Sequence, residues 1–241
     1  KKFLEDNAPL DLIRKISKGE DLNQKNEIHS GIINLGINNI LVPEEHGGLG
    51  LDLLFATAIS QSIGGAVAPL PYCGSYVMAP IAIQIGASKL QKENIFNEMS
   101  SGNTKFGIAF SEYFGSRDSS SIHFSNEKIN GKTIFAIDCD YATDVLVSDA
   151  SGKIGIVSIE DKNIEIIDLI TVDKTRTYKE IKFSNANVEI LENTKKNTDA
   201  IEKALDAGRI ITAADTLGAS QAMLDKACLL YTSDAADEED S

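Results

Sequence analysis

The chain is poor in cysteine. Cys73, Cys139 and Cys228 are the three in 241 residues, too few and too scattered for a disulfide framework or a zinc site. That usage fits a reducing compartment, and the expected location is cytoplasmic. Bases are short too: 23 Lys and Arg stand against 36 Asp and Glu, a net charge of -13. That sign argues against a nucleic-acid footprint. Asp234, Asp237, Glu238, Glu239 and Asp240 crowd the last fourteen residues with no base among them, but the balance is acidic without them. Long hydrophobic runs are missing as well. The longest are interrupted by Gly, Ser or Gln, so no membrane span is expected. No signal peptide is visible, but the first residue is Lys1 rather than Met, so that absence says little about targeting.

What remains is ordinary globular material: 42% hydrophobic and 24% charged residues. The length allows one to two domains and a sizeable core. The first hundred residues read as helices. Phe3, Leu4, Leu10, Leu12, Ile13 and Ile16 recur at helical spacing over 3–18, and Ile28, Ile32, Ile33 and Leu35 do so over 24–36. Pro43 and three glycines interrupt the helical pattern over 43–50. Asp52 is the expected N-cap of a third helix, ending at Gly64-Gly65. Residues 72–86 are apolar on all sides, which predicts a buried helix, restarted or kinked at Pro80. Ser88 is the expected N-cap of a helix through Met99.

From Lys105 the period changes. Phe106–Phe110, Thr133–Ile137, Asp144–Val147, Ile154–Ile159, Ile164–Ile167 and Tyr178–Phe183 are short and rich in Ile, Val and Phe. They predict an antiparallel β domain with hairpin signals at Asn130-Gly131 and Ser151-Gly152. A long helix resumes near Thr198. Its small residues Ala207, Gly208, Ala213, Ala214, Gly218 and Ala219 would let another helix approach closely. The fold class is therefore α+β: an N-terminal α-helical domain (1–103), a central antiparallel β domain (104–195), and the first helix of a C-terminal helical bundle (196–227). The helix is expected to stop at Ala227. Residues 228–241 resemble the conceptual translation of a sequencing adapter, so the coding sequence is expected to continue past Ala227 and the chain to be a truncated fragment.

The stretch Phe106–Asp118 is the candidate site. An apolar strand runs into Ser111, where small hydrogen-bonding residues begin, a natural place to hold a ligand. Other candidates read blandly. Glu44 and Glu45 are adjacent carboxylates in a Pro–Gly loop, expected to be solvated. Gly47-Gly-Leu-Gly50 lacks the six-residue dinucleotide spacing and a βαβ setting. His29, His46 and His123 fall one each on helix, loop and strand, without metal-ligand spacing. Cys73 and Cys139 read as small buried apolar groups, Arg209 as a packing or interface charge, and Lys195-Lys196 as a solvated linker.

Several stretches resemble the acyl-CoA dehydrogenase family. The most specific is Val42-Pro-Glu-Glu-His-Gly-Gly-Leu-Gly50. Ala66–Tyr72, Leu90–Gly102, Asp173–Phe183 and Ala207–Leu224 are similar to later parts of that family, so the resemblance covers residues 3–227. It implies FAD between the β domain and a C-terminal bundle, and α,β-dehydrogenation of an acyl-CoA thioester. It also implies electron transfer to an electron-transfer flavoprotein, and a homo- or hetero-oligomer. Such chemistry needs a base within reach of the α proton and donors for the thioester oxygen. The resemblance places the base beyond Ala227, so the fragment is expected to be inactive.

The resemblance also assigns residues in Ser111-Glu-Tyr-Phe-Gly-Ser-Arg-Asp118. Phe110 and Ser111 meet the flavin ring edge. Ser116 or Arg117 faces the pyrophosphate or the CoA arm, both groups suiting phosphate. The family's loop proline is Tyr113 here, and the 129–144 segment reads as several residues short, which leaves the flavin-stacking position unassigned. These departures support an alternative, a non-catalytic partner subunit of a hetero-oligomeric acyl-CoA dehydrogenase with decayed flavin motifs. A flavin monooxygenase or oxidase on the same fold is a further alternative.

Overall fold

A computed structural model describes residues 1–114 and 122–239. The N-terminal part is helical: α1 (Lys2–Asn7), α2 (Leu10–Ile16), α3 (Leu22–Asn34) and α4 (Leu53–Ala66), then a π-helical turn (Tyr72–Met78) running into α5 (Ala79–Gly86), and α6 (Lys89–Ser100). The helix expected over 3–18 is two helices. Pro9 is extended at φ -63, ψ 147 and has no N–H to continue the ladder. Pro80 occupies the first turn of α5, where a missing N–H costs nothing.

Two caps follow the sequence. Ser88 and Gln91 form a reciprocal capping box on α6. Asp52 accepts from the backbone N–H of Leu54 at 3.0 Å and Phe55 at 3.3 Å. Asp52→Ala is expected to cost about 1 kcal/mol of stability, read as a lower urea midpoint with an unchanged slope. No shift would mean that the α4 entry is held by packing alone. Gly64 and Gly65 do not end α4, which continues to Ala66 and closes with Val67 in the left-handed region (φ 53).

The strands are β1 (Phe106–Ala109), β2 (His123–Ser125), β3 (Lys128–Ile137), β4 (Asp144–Ser148), β5 (Ile154–Ser158), β6 (Ile164–Asp168), β7 (Tyr178–Asn187) and β8 (Glu189–Ile190). They form one sheet in the order β6-β7-β3-β1-β4-β5-β8, with β2 paired to β3. The sheet is not wholly antiparallel as expected, because β1 and β4 run parallel in register Phe106↔Asp144 to Ala109↔Val147. Nor do Asn130 and Gly131 turn a hairpin; they lie inside β3 and pair with β7. The β2–β3 turn is Asn126-Glu127, both at positive φ (49 and 57), the geometry that a two-residue hairpin loop demands.

Period-two alternation gives the sheet two buried faces. Phe106, Ile108, Phe110 and Leu146 join α5, α6 and the last helix in one core. Ala109, Val145 and Val147 join Ile129, Ile181 and Phe183 in another. The last helix, α7 (Asn197–Glu239), does not stop at Ala227 as expected. It lies along α4 at backbone contact. A Cβ on Gly64 would sit 1.9 Å from the Asp215 carbonyl oxygen, and one on Gly218 1.9 Å from that of Gln61. Of the small residues picked out on this helix, Gly218 is where α4 approaches and Gly208 is where Met78 of the π-helical turn does, while Ala213 is exposed. No helix among the described residues is long and apolar enough to cross a membrane.

Candidate active site

β1 and β3 end beside α7, with the π-helical turn closing the back. Between them lies a cleft of about 590 Å³, within the usual size of small-molecule sites of about 300–1,000 Å³. Its walls are mainly apolar: Met78 from the turn, Ile108 and Phe110 from β1, Phe135 and Ile137 from β3, and Leu205 and Ala213 from α7. The polar groups facing it are few: Ser111, Thr212, Thr216, Cys73 and Arg209. A largely apolar slot with a handful of hydroxyls suits a planar, partly polar ring system.

Phe110 and Ser111, both singled out in the sequence, line the cleft. The Ser111 hydroxyl shares a 2.9 Å hydrogen bond with that of buried Thr133, which fixes its rotamer at the rim. Ser116 and Arg117 lie outside the described residues. Tyr113 donates to Glu202 of α7 at 2.9 Å and so ties the Ser111–Phe114 turn to that helix.

Several cleft residues escaped the sequence reading as site residues, Cys73, Thr212 and Thr216 among them, and two stand out. Phe135 is the first. The β3–β7 register shifts between Thr133 and Ala136, and this bulge puts Phe135 at φ 57 with 58% of its surface exposed. An aromatic residue rarely adopts the left-handed region, and strain of this kind concentrates at ligand sites. Its sequence signal was weak, since the bulge breaks the alternation that locates a strand face. The second is Arg209, read as a packing or interface charge. It stands on the α7 wall, paired with Asp206 at 2.6 Å. Cys73, expected to be a buried apolar filler, is only partly buried and faces the cleft. Burial nonetheless pushes its thiol up to about 12, so it is no nucleophile at neutral pH.

His29 shares a 2.6 Å hydrogen bond with the Tyr76 hydroxyl and stacks on Tyr141 at 4.0 Å. Burial, with Lys105 and Lys25 nearby, lowers it to about 4. Glu44 and Glu45 are exposed, as expected. No carboxylate lines the cleft among the described residues, and no cluster of His, Cys, Asp or Glu there has a metal-binding arrangement.

Comparison with known proteins agrees with this architecture. Residues 1–103 match the family model for the acyl-CoA dehydrogenase N-terminal domain. A curated relative, the probable acyl-CoA dehydrogenase YngJ of Bacillus subtilis (strain 168), is 28% identical over 229 residues, covering 82% of this chain and 57% of the relative. The solved butyryl-CoA dehydrogenase of Megasphaera elsdenii superposes with a TM-score of 0.72 at 18% identity, over 94% of this chain and 66% of that one. An acyl-CoA dehydrogenase from Bacillus anthracis, complexed with FAD, gives 0.73 at 16% identity, over 89% of this chain and 40% of that one. At such identities the structures speak to the fold alone, and the chain spans less than two thirds of each of these proteins. The N-terminal match, the curated relative and the shared fold agree with the motifs read from the sequence: residues 1–103 match the acyl-CoA dehydrogenase N-terminal domain, and the chain is similar to acyl-CoA dehydrogenases over most of its length.

Proposed function

We propose that this chain is the flavin-facing part of an FAD-dependent acyl-CoA dehydrogenase-type oxidoreductase that acts by α,β-dehydrogenation of an acyl-CoA thioester. The observation that carries the reading is the cleft between β1, β3 and α7, apolar on its walls and rimmed by hydroxyls. Its residues fit a flavin. Phe110 and Phe135 supply aromatic surface, Ser111 and the Thr212–Thr216 pair supply hydrogen bonds at the edge, and Gly208 lets α7 approach Met78. Bound there, FAD supplies the two-electron acceptor that the dehydrogenation needs. The chain's own part is to orient the ring, exclude water from it and hold Ser111 beside its edge. The proton-abstracting carboxylate is not among the described cleft residues and comes from outside them. Ser116 and Arg117 remain proposed for the pyrophosphate or the CoA arm. An electron-transfer flavoprotein is the proposed electron acceptor, and the cytoplasm the proposed location.

The test compares the 241-residue chain with an extended protein, residues 1–227 followed by the coding sequence that the intact gene carries after Ala227. The extended protein is expected to purify yellow and to bleach with an acyl-CoA, and the shorter one not to bleach. A colourless, unreactive extended protein defeats the reading. One observation favours a second reading, the non-catalytic partner subunit: Tyr113 replaces the family's proline and is bound to Glu202. Co-expression with a neighbouring paralogue, giving one flavin per two subunits, would favour it.

A further inference from the structure

The α7 wall of the cleft carries two hydroxyls whose direction is fixed. Thr212 donates to the Gly208 carbonyl at 2.8 Å, and Thr216 to the Thr212 carbonyl at 2.9 Å. Each bond runs four residues back along the same helix, a common habit of threonine in helices. A carbonyl oxygen has no proton to give, so the hydroxyl is the donor in both. A hydroxyl has one proton and two lone pairs. With the proton spent on the helix, only lone pairs are left for the cleft that both residues line. The Cys73 thiol is turned the same way, onto the Gly208 carbonyl at 3.7 Å. The other polar groups differ. Ser111 and Thr133 share a bond in which either can be the donor, so Ser111 can offer a proton or a lone pair. Arg209, three residues before Thr212 on the same wall, donates and cannot accept.

Resting on the dehydrogenase reading above, we infer that Thr212 and Thr216 are specificity-determining residues: their oxygens accept from an amide-type N–H of the bound ligand and disfavour a ligand edge made of acceptors alone. Both side chains are exposed to solvent, so a ligand that covers them must replace the water on their lone pairs. A ligand donor does so. A ligand acceptor leaves both groups unpaired between apolar walls, which is costly. A site built to meet an N–H therefore rejects the analogue that lacks it. Two groups of the proposed ligands carry such a donor. The oxidised flavin ring has one N–H, at N3, between the two carbonyls of its pyrimidine edge. The pantetheine arm of an acyl-CoA has its amide N–H groups. The chemistry is shared, and the same wall suits either.

The test removes the donor from the ligand and the acceptors from the protein. FAD is titrated beside 3-methyl-FAD by flavin fluorescence, and an S-acyl pantetheine beside the analogue with esters in place of its amides by calorimetry. The proteins are the wild-type chain, the double variant Thr212→Val/Thr216→Val, which keeps the side-chain shape without lone pairs, and Thr212→Ser/Thr216→Ser, which keeps the hydroxyls. In the wild type, the member without the N–H should bind about tenfold more weakly in at least one pair. The valine variant should bind both members of that pair alike, and the serine variant should restore the gap. A gap in the flavin pair sets the ring edge on α7, and a gap in the pantetheine pair sets the CoA arm there. A merely structural role, or a clash with the added methyl, would leave the gap the same in wild type and valine variant. That result, or no gap in either pair, overturns the inference. A pantetheine gap in a chain that binds no flavin upholds the inference and overturns the flavin reading, and flavin binding with no gap does the reverse. A chain that binds neither FAD nor the pantetheine overturns both.

Discussion

Replacing Gly64 with valine should lower the melting temperature by roughly 6–12 °C, about 3 kcal/mol for a chain of this size. The estimate follows from contact geometry. A Cβ at Gly64 would lie 1.9 Å from the Asp215 carbonyl oxygen and 2.6 Å from its carbon. Those are backbone atoms of a helix, so no rotamer change relieves the clash and α4 must move off α7. Overpacking usually costs about 1–3 kcal/mol, and a rigid obstacle puts this site at the upper end. Ser60 donates to the Ile211 carbonyl one turn away at 2.8 Å, and that buried bond lengthens with the shift. Gly218→Val meets the Gln61 carbonyl at 1.9 Å from the other side. The double variant should therefore lose less than the sum, because one displacement relieves both clashes. Differential scanning calorimetry on the three variants checks this. A Gly64→Val chain that melts with the wild type would show that α4 and α7 are not in backbone contact.

Phe135→Gly should separate ligand binding from stability. The ring is 58% exposed and its backbone stands at φ 57. Left-handed geometry costs a residue with a side chain about 1–2 kcal/mol, which glycine escapes. Little packing is lost with a ring this exposed, so the unfolding midpoint should hold or rise. FAD affinity should fall roughly 30-fold or more, since covering a Phe ring contributes about 1.5–3 kcal/mol and aromatic stacking about 0.5–1.5. Flavin fluorescence titration beside urea unfolding reads both. A variant that loses about 3 kcal/mol of stability would mark Phe135 as core instead.

The contrast between these positions explains what the sequence disclosed. Helix starts were legible because capping is local: Asp52 and Ser88 bond to N–H groups two or three residues away. The break at Pro9 was equally local, but the apolar period runs through it and masked it. Strand locations were legible for the same reason, alternation being a short-range pattern. The β2–β3 turn was not: Asn126-Glu127 carries no glycine, while Asn130-Gly131, the stronger turn pair, is held straight by β7. Tertiary pairing overrode turn chemistry there. The parallel β1–β4 pair joins strands with β2 and β3 between them, and no local pattern announces such a partner.

For the site, Phe110 and Ser111 were legible from the strand-to-loop change, and the structure puts both on the cleft. Phe135 was hidden by the register shift that exposes it. Arg209 reads like any surface base until α7 is seen beside β1. The end of α7 was misjudged because residues after Ala227 are compatible with helix whatever their origin.

The α4–α7 contact also has a consequence during synthesis. Ser60 and Ile211 are 151 residues apart. At roughly 5–20 residues per second, the ribosome needs about 8–30 s to deliver α7 after α4 has emerged. For that interval the small-residue groove around Gly64 and the apolar surface beside it, Ala56 and Ile63, lack their α7 cover. A slowed codon stretch between α4 and α7 would lengthen that interval and with it the time in which this surface is open to wrong partners.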